Sequence, residues 1–293
     1  MRKLTVSDRI INFLFGAILF SIAVTFVYPF LYILFASFSD PQQLSWHTGF
    51  LFHPLGFTLR GYEVAMSYSG IWRGYLNTIF IVVAGVAVNM ILTILGAYVI
   101  SRKDLYLFKF LNLFVIFTMF FSGGLIPFFL VVRNLGLMNT YSALIFPVAI
   151  STWNMIILRT SINGLPISLI ESARIDGAND FTLLFRIIVP LTRSTLAVLV
   201  LFYAVGHWNS WFNAMIFLRD RSLYPLQLVL REILIQNTGG AVAHQGIALT
   251  QMDLYRHLVQ YCTTVIATLP ILTIFPFLQK HFVKGVLVGS VKG

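Results

Sequence analysis

Charge is scarce in this chain. Only 10% of its 293 residues are Asp, Glu, Lys or Arg, and 58% are hydrophobic. A soluble domain carries about a quarter charged residues. A mean hydropathy of +0.85 points the same way. These values exclude a soluble globular enzyme and a disordered chain. Cysteine is nearly absent too. Cys262 is the single one, lies in an apolar run and has no partner for an intrachain disulfide; it reads as a small packing residue, and a disulfide-built secreted domain is excluded. No Gly-Lys dipeptide occurs, so the chain has no phosphate-binding loop of its own. What remains is an all-α, polytopic membrane protein whose surface is solvated mostly by lipid.

The few charges divide the chain. Uncharged runs occupy 10–39, 74–101, 110–132, 134–158, 194–218 and 257–279. About 20 helical residues cross the hydrocarbon core, and a charge at a helix centre costs roughly 2.5–3.5 kcal/mol. Six transmembrane helices are therefore expected. Arg2, Lys3 and Arg9 precede the first run, as in a signal peptide, but a signal's apolar core is only about 7–15 residues. The 30 uncharged residues from Ile10 to Ser39 read as a retained span. An even count puts both termini on one side. That side holds 13 of the 20 Lys and Arg and the other holds 7, so both termini are expected in the cytoplasm. Topology accounts in this way for the net charge of +10. No basic cluster on a polar face suggests nucleic acid.

Two external pieces, 40–73 and 219–256, are too long to be simple turns. The cytoplasmic loop 159–193 carries more information. Asn163-Gly164 ends the fourth helix, and Pro166 suits the first turn of another. Ile167, Ile170 and Ala173 fall on one face, and Gly177 stops the helix by taking a positive φ. Asn179 or Asp180 can cap the next helix, whose apolar stripe includes Phe181, Leu184 and Ile188. Two short helices joined at a glycine form an elbow. It could insert into a groove on a partner or lie as an amphipathic hairpin at the lipid interface.

The residues Glu171-Ser172-Ala173, Gly177, Ile187 and Val189-Pro190, at this spacing, resemble the signature loop of binding-protein-dependent ABC importer permeases. That pattern is Glu-Ala-Ala, Gly, Ile-x-Leu-Pro, and Ser172 and Val189 depart from it by small changes in volume. Asn77-Thr78, Ala97-Tyr98, Arg102, the stretch Gly123 to Pro127, Gly136-Leu137, Asn139-Thr140, Trp208 to Phe212 and the Gly-rich tail are similar to the maltose-type carbohydrate-uptake group. The likeness covers 71–293 well and the first span loosely. Within the group it is nearest a branch handling complex oligosaccharides, some uronate-rich, of which an alginate-oligosaccharide importer subunit is one candidate.

The resemblance implies a type I ABC importer permease fold in the bacterial inner membrane. It divides the chain into a first helix and external loop (1–70), a transmembrane core (71–282) and a cytoplasmic tail (283–293). It implies a second permease subunit, two cytoplasmic ATPases that bind ATP and Mg, an external solute-binding protein meeting loop 219–256, and no cofactor on this chain. Glu171 to Gly177 would seat in an ATPase cleft. Glu171 would pair with a base there or cap its own helix. Gly289, Val291, Lys292 and Gly293 would insert between the ATPases or form a frayed end. The loop 219–256 would reach into the binding protein or serve as a connector.

A sugar pathway needs amides and aromatic faces. Asn77, Asn89, Asn154, Asn209 and Asn213, with Trp208 and Trp211, are the candidates. Each alone reads more readily as a helix–helix hydrogen bond or an interfacial indole. His207 has no second His or carboxylate at ligand spacing, so no metal is assigned, and no catalytic set is recognisable. An ion-coupled secondary sugar transporter is the alternative, but the six runs hold no Asp, Glu, Lys or Arg, which argues against proton coupling.

Overall fold

The computed structural model describes residues 6–235 and 257–273. Among them every regular element is helical. The contacts separate the chain into two units, Met1–Ser69 with Glu232–Leu269, and Gly70–Arg231 with Pro270–Gly293.

The first unit is built on α1 (Val6–Ser37). Its side chains from Ile10 to Phe26 are exposed, as a lipid-facing helix requires. Asp40 then caps the short α2 (Pro41–Trp46), accepting from the N–H groups of Gln42 and Gln43. The loop turns back on the end of α1. Asp40 N donates to Leu55 O at 2.7 Å, Thr58 N to Phe38 O at 2.9 Å, and Phe38 stacks on Phe57. Next comes α3 (Arg60–Ser67). α14 (His257–Thr273) also contributes to this unit. Its Cys262 is fully buried as a packing residue, with Sγ 3.4 Å from Ser37 O. A Cβ at Gly61 would stand 2.7 Å from that sulfur, so glycine lets α3 pack there.

The second unit is organised around α4 (Ser69–Ser101), an unbroken apolar helix. It is followed by α5 (Phe108–Phe120), α6 (Leu125–Asn134), α7 (Ser142–Val148), α8 (Thr152–Asn163), α9 (Ile167–Ile175), α10 (Asp180–Leu191), α11 (Arg193–Trp208), α12 (Phe212–Phe217) and the start of α13 (Leu226–Ile235).

The described residues do not show six continuous spans, and the last expected run, 257–279, lies partly outside them. Among the described residues, two helices are long and apolar enough to cross a membrane unbroken, and up to five segments if each bent pair is one span. The run 110–132 bends by 113° between α5 and α6, where Gly124 takes φ +81°. The run 134–158 bends by 49° between α7 and α8, after Pro147, which has no N–H to donate. The run 194–218 stops at Trp208 and resumes at Phe212. Absence of charge marks what can lie in lipid. It does not require an unbroken helix, because freed backbone groups can be satisfied by neighbouring side chains.

Candidate functional site

The breaks are held by α4. Asn89 is fully buried and donates its amide to Val148 O and Ala149 O, each at 2.8 Å. These are carbonyls that the α7–α8 break leaves without helical partners. Its Oδ1 accepts from His207 Nε2 at 2.7 Å, which fixes the tautomer of that buried ring. On the other side of the break, Ser151 N donates to Tyr203 OH, which bonds Thr93. One turn before Asn89, a Cβ at Gly85 would lie 2.5 Å from His207 Nε2.

Asn77 repeats the arrangement further up α4. It donates to Ser222 O and Tyr224 O at 2.8 and 2.9 Å, and its Oδ1 accepts from Tyr141 OH. Thr78 Oγ1 accepts from Leu226 N, the first residue of α13. A Cβ at Gly74 would stand 3.1 Å from Leu226 Cα. The small and polar positions 74, 77, 78, 85, 89, 93 and 96 thus form one stripe, three to four residues apart for most of its length. That spacing was present in the sequence, and it is the signal for Gly74, Gly85 and Thr93, which were not singled out from it.

The other candidates fall differently. Asn154, Asn209, Trp211 and Asn213 line an open cleft of about 410 Å³ in the second unit. Its walls are the α7–α8 break, the end of α11 and the start of α12, with His207, Ser151 and Ser210 among the polar groups. Asn77, Asn89 and Trp208 are not in its lining. Trp208 is buried against Tyr75 edge-on, and its Nε1 has no acceptor among the described residues. Trp211 is about a third exposed at the cleft, and the Arg231 guanidinium lies over its ring at 4.4 Å.

The elbow is a second site. α9 ends in a Schellman turn, with Ala178 N on Ala173 O, Gly177 N on Arg174 O, and Gly177 at φ +83°. Pro166 stands at the N-cap, one position before the expected first turn. Asn179, not Asp180, caps α10, accepting from Thr182 N. Ala173 is buried against the core that includes Leu183, Leu184 and Ile188, while Ile187 and Val189 are partly buried. α10 winds into a π-turn over Leu183–Ile188 just ahead of Pro190, and α10 and α11 meet at 83°. Glu171 sits mid-helix and exposed and does not cap α9. Ser172 and Pro190 are exposed as well. The outer surface carries large apolar side chains in the open, with Ile175 85% and Phe181 70% exposed.

Asp180, freed from capping, joins an ionic clasp. It pairs with Arg102 and accepts from Tyr98 OH at 2.7 Å. Arg102 also pairs with Asp104 at 2.6 Å, and Arg174 of α9 lies 3.7 Å from Asp104. The hydrogen bond from Arg102 pulls the Asp104 carboxyl down to about 2, and Tyr98 and Arg102 lower Asp180. The end of α4 and both helices of the elbow are joined through these four charges.

Comparison with known proteins bears on both sites. No protein-family model matches the chain. It is 40% identical, over 98% of its length and 99% of the relative's, to the polygalacturonan/rhamnogalacturonan transport system permease protein YtcP of Bacillus subtilis (strain 168). It is 26% identical, over 93% of both, to the arabinooligosaccharides transport system permease protein AraQ of Halalkalibacterium halodurans. A solved bacterial ABC transporter involved in import of the acidic polysaccharide alginate contains a chain that matches with a TM-score of 0.87 and 28% identity, covering 96% of this chain and 100% of that one.

An all-helical chain with bent apolar segments and an elbow between two of them is the architecture of an importer permease. The chain belongs to the permease subunits of binding-protein-dependent ABC sugar importers. It is a non-catalytic, multi-pass membrane subunit, and ATP hydrolysis belongs to the partner ATPase. The alternative of an ion-coupled carrier is set aside by that membership.

Proposed function

We propose that this chain forms half of an inner-membrane pathway for an oligosaccharide, uronate-containing chains among its substrates. A second permease supplies the other half. The topology read from the charges, six spans with both termini cytoplasmic, is part of the same reading, as is the division into 1–70, 71–282 and 283–293. The elbow seats in an ATPase, through Glu171, Ser172, Ala173, Gly177 and the segment Ile187 to Pro190. Closure of the ATPase pair on ATP moves the elbow, and the clasp passes that motion to α4. The observation that carries this is the elbow's outer surface. Ile175 and Phe181 stand exposed on a rigid turn whose inner side is fully packed, which suits a protein groove.

The cleft residues Asn154, Asn209, Asn213 and Trp211 are assigned to the sugar path. Asn77 and Asn89 serve it by holding the broken spans in place, and Trp208 by backing α11. Residues 236–256, in the loop proposed to meet the solute-binding protein, and Gly289, Val291, Lys292 and Gly293 of the ATPase-contacting tail lie outside the described residues. Support for uronates comes from relatives named for polygalacturonan and alginate.

The test is purification in mild detergent with mass spectrometry of what accompanies the chain. A second permease and an ATPase are expected, with the ATPase lost when Gly177 is replaced by Leu. Retention of the ATPase by that variant would remove the elbow from the interface.

A further inference from the structure

Arg231 stands beside the cleft, over Trp211 of its lining. It is half-buried, and its guanidinium covers one face of Trp211. Among the described residues its one direct polar contact is from Nη1 to Met215 Sδ, a weak acceptor. A guanidinium carries five N–H donors. No described carboxylate lies within ion-pair distance of it, whereas Arg102, also partly buried, is paired twice. The cleft that Trp211 lines contains no Asp or Glu. Its polar lining is neutral amide, hydroxyl and imidazole. A guanidinium with no carboxylate partner beside an acid-free cleft is available to an incoming anion.

We propose that Arg231 and Trp211 together form an acidic-sugar subsite, with Arg231 the residue that sets preference for uronates over neutral sugars. This rests on the sugar-importer reading and names the chemistry of one position within it. The indole offers a flat face to a pyranose ring. The guanidinium, planar and weakly hydrated, stores itself on the indole by cation–π contact when no substrate is present. A uronate carboxylate arriving at the cleft is its first strong acceptor, and the fork geometry permits two parallel hydrogen bonds. Asn209 and Asn213 also line the cleft and can bond ring hydroxyls. A neutral sugar has the stack and the amides but gains nothing from the charge.

The test uses the assembled importer in detergent without its binding protein, so that the permease pair alone is read. Two probes are titrated calorimetrically: a defined oligogalacturonide, and the same oligomer with its carboxyls methyl-esterified. Arg231→Gln is expected to weaken the acidic probe roughly tenfold, the scale of one charge-assisted contact, and leave the ester unchanged. Arg231→Lys keeps the charge but loses the fork and falls between. Trp211→Ala weakens both probes. Co-elution of each variant with its partner subunits shows that assembly is intact. Equal weakening of both probes by Arg231→Gln, or of neither, overturns the proposal. Failure of the wild type to bind the acidic probe also overturns it. In that case, uptake of a neutral oligosaccharide by the same importer would leave the sugar-permease reading standing.

Discussion

The middle of α4 and its C-terminal end hold their neighbours by different chemistry. In the middle, Asn77 and Asn89 use uncharged amides to gather backbone carbonyls from breaks in other segments. At the end, Arg102 gathers carboxylates, Asp104 and Asp180, from the loops around the elbow. The amide locks are buried, whereas Asp104 and Asp180 keep half or more of their side chains exposed. A neutral amide can be taken out of water once all its donors and acceptors are used. An ion pair is cheap only where water still reaches it, and there it is weak and adjustable. The interior of the unit is thus fastened by buried contacts centred on uncharged amides. The elbow is fastened by contacts that can yield, which suits the coupling role proposed for it.

The largest break in that contrast is Asn89→Leu. It strands the Val148 and Ala149 carbonyls and the His207 N–H together. At about 1–3 kcal/mol for each buried group left unsatisfied, a thermal melt in detergent should fall well below wild type. A wild-type melt would mean that the α7–α8 break finds other partners. Gly85→Ala comes next. The methyl meets the His207 ring, and overpacking of this kind costs about 1–3 kcal/mol, so the same melt should drop by less.

Arg102→Asp sharpens the other half of the comparison. It should change stability by under about 1 kcal/mol, since the pairs are partly exposed. It should nonetheless lower the sugar transported per ATP hydrolysed. The exchange Arg102→Asp with Asp180→Arg should restore that ratio in part. Loss of stability without loss of coupling would make the clasp merely structural.

The smallest effect is with pH. Depressed carboxyl pKa values stabilise the clasp fully above the ordinary value of 3.8, and that contribution is lost as pH falls through about 2. A spin label at the exposed Ile175 should therefore show unchanged mobility from about pH 8 to 5 and greater mobility in high salt. A transition inside that pH window would point to a different group holding the elbow.

Much of this was legible from order alone. The uncharged runs told which residues can lie in lipid. The glycine at 177 told where the elbow turns, and its φ of +83° is the conformation glycine alone adopts freely. The capping of α10 was narrowed to two adjacent residues, and the choice between them depended on Tyr98, 82 positions before Asp180. The breaks inside three runs were harder to see. Gly124 and Pro147 permit a bend, but permission is not instruction.

The sequence by itself determined the membrane class, the elbow and the family. Tertiary structure alone decided which asparagines fasten the fold and which face the cleft. An amide carries the same donors and acceptor wherever it stands. Its role depends on what meets it, and for Asn77 those are carbonyls 145 and 147 residues away. Local periodicity marks such a side chain as awaiting a partner, and only the packed chain supplies one.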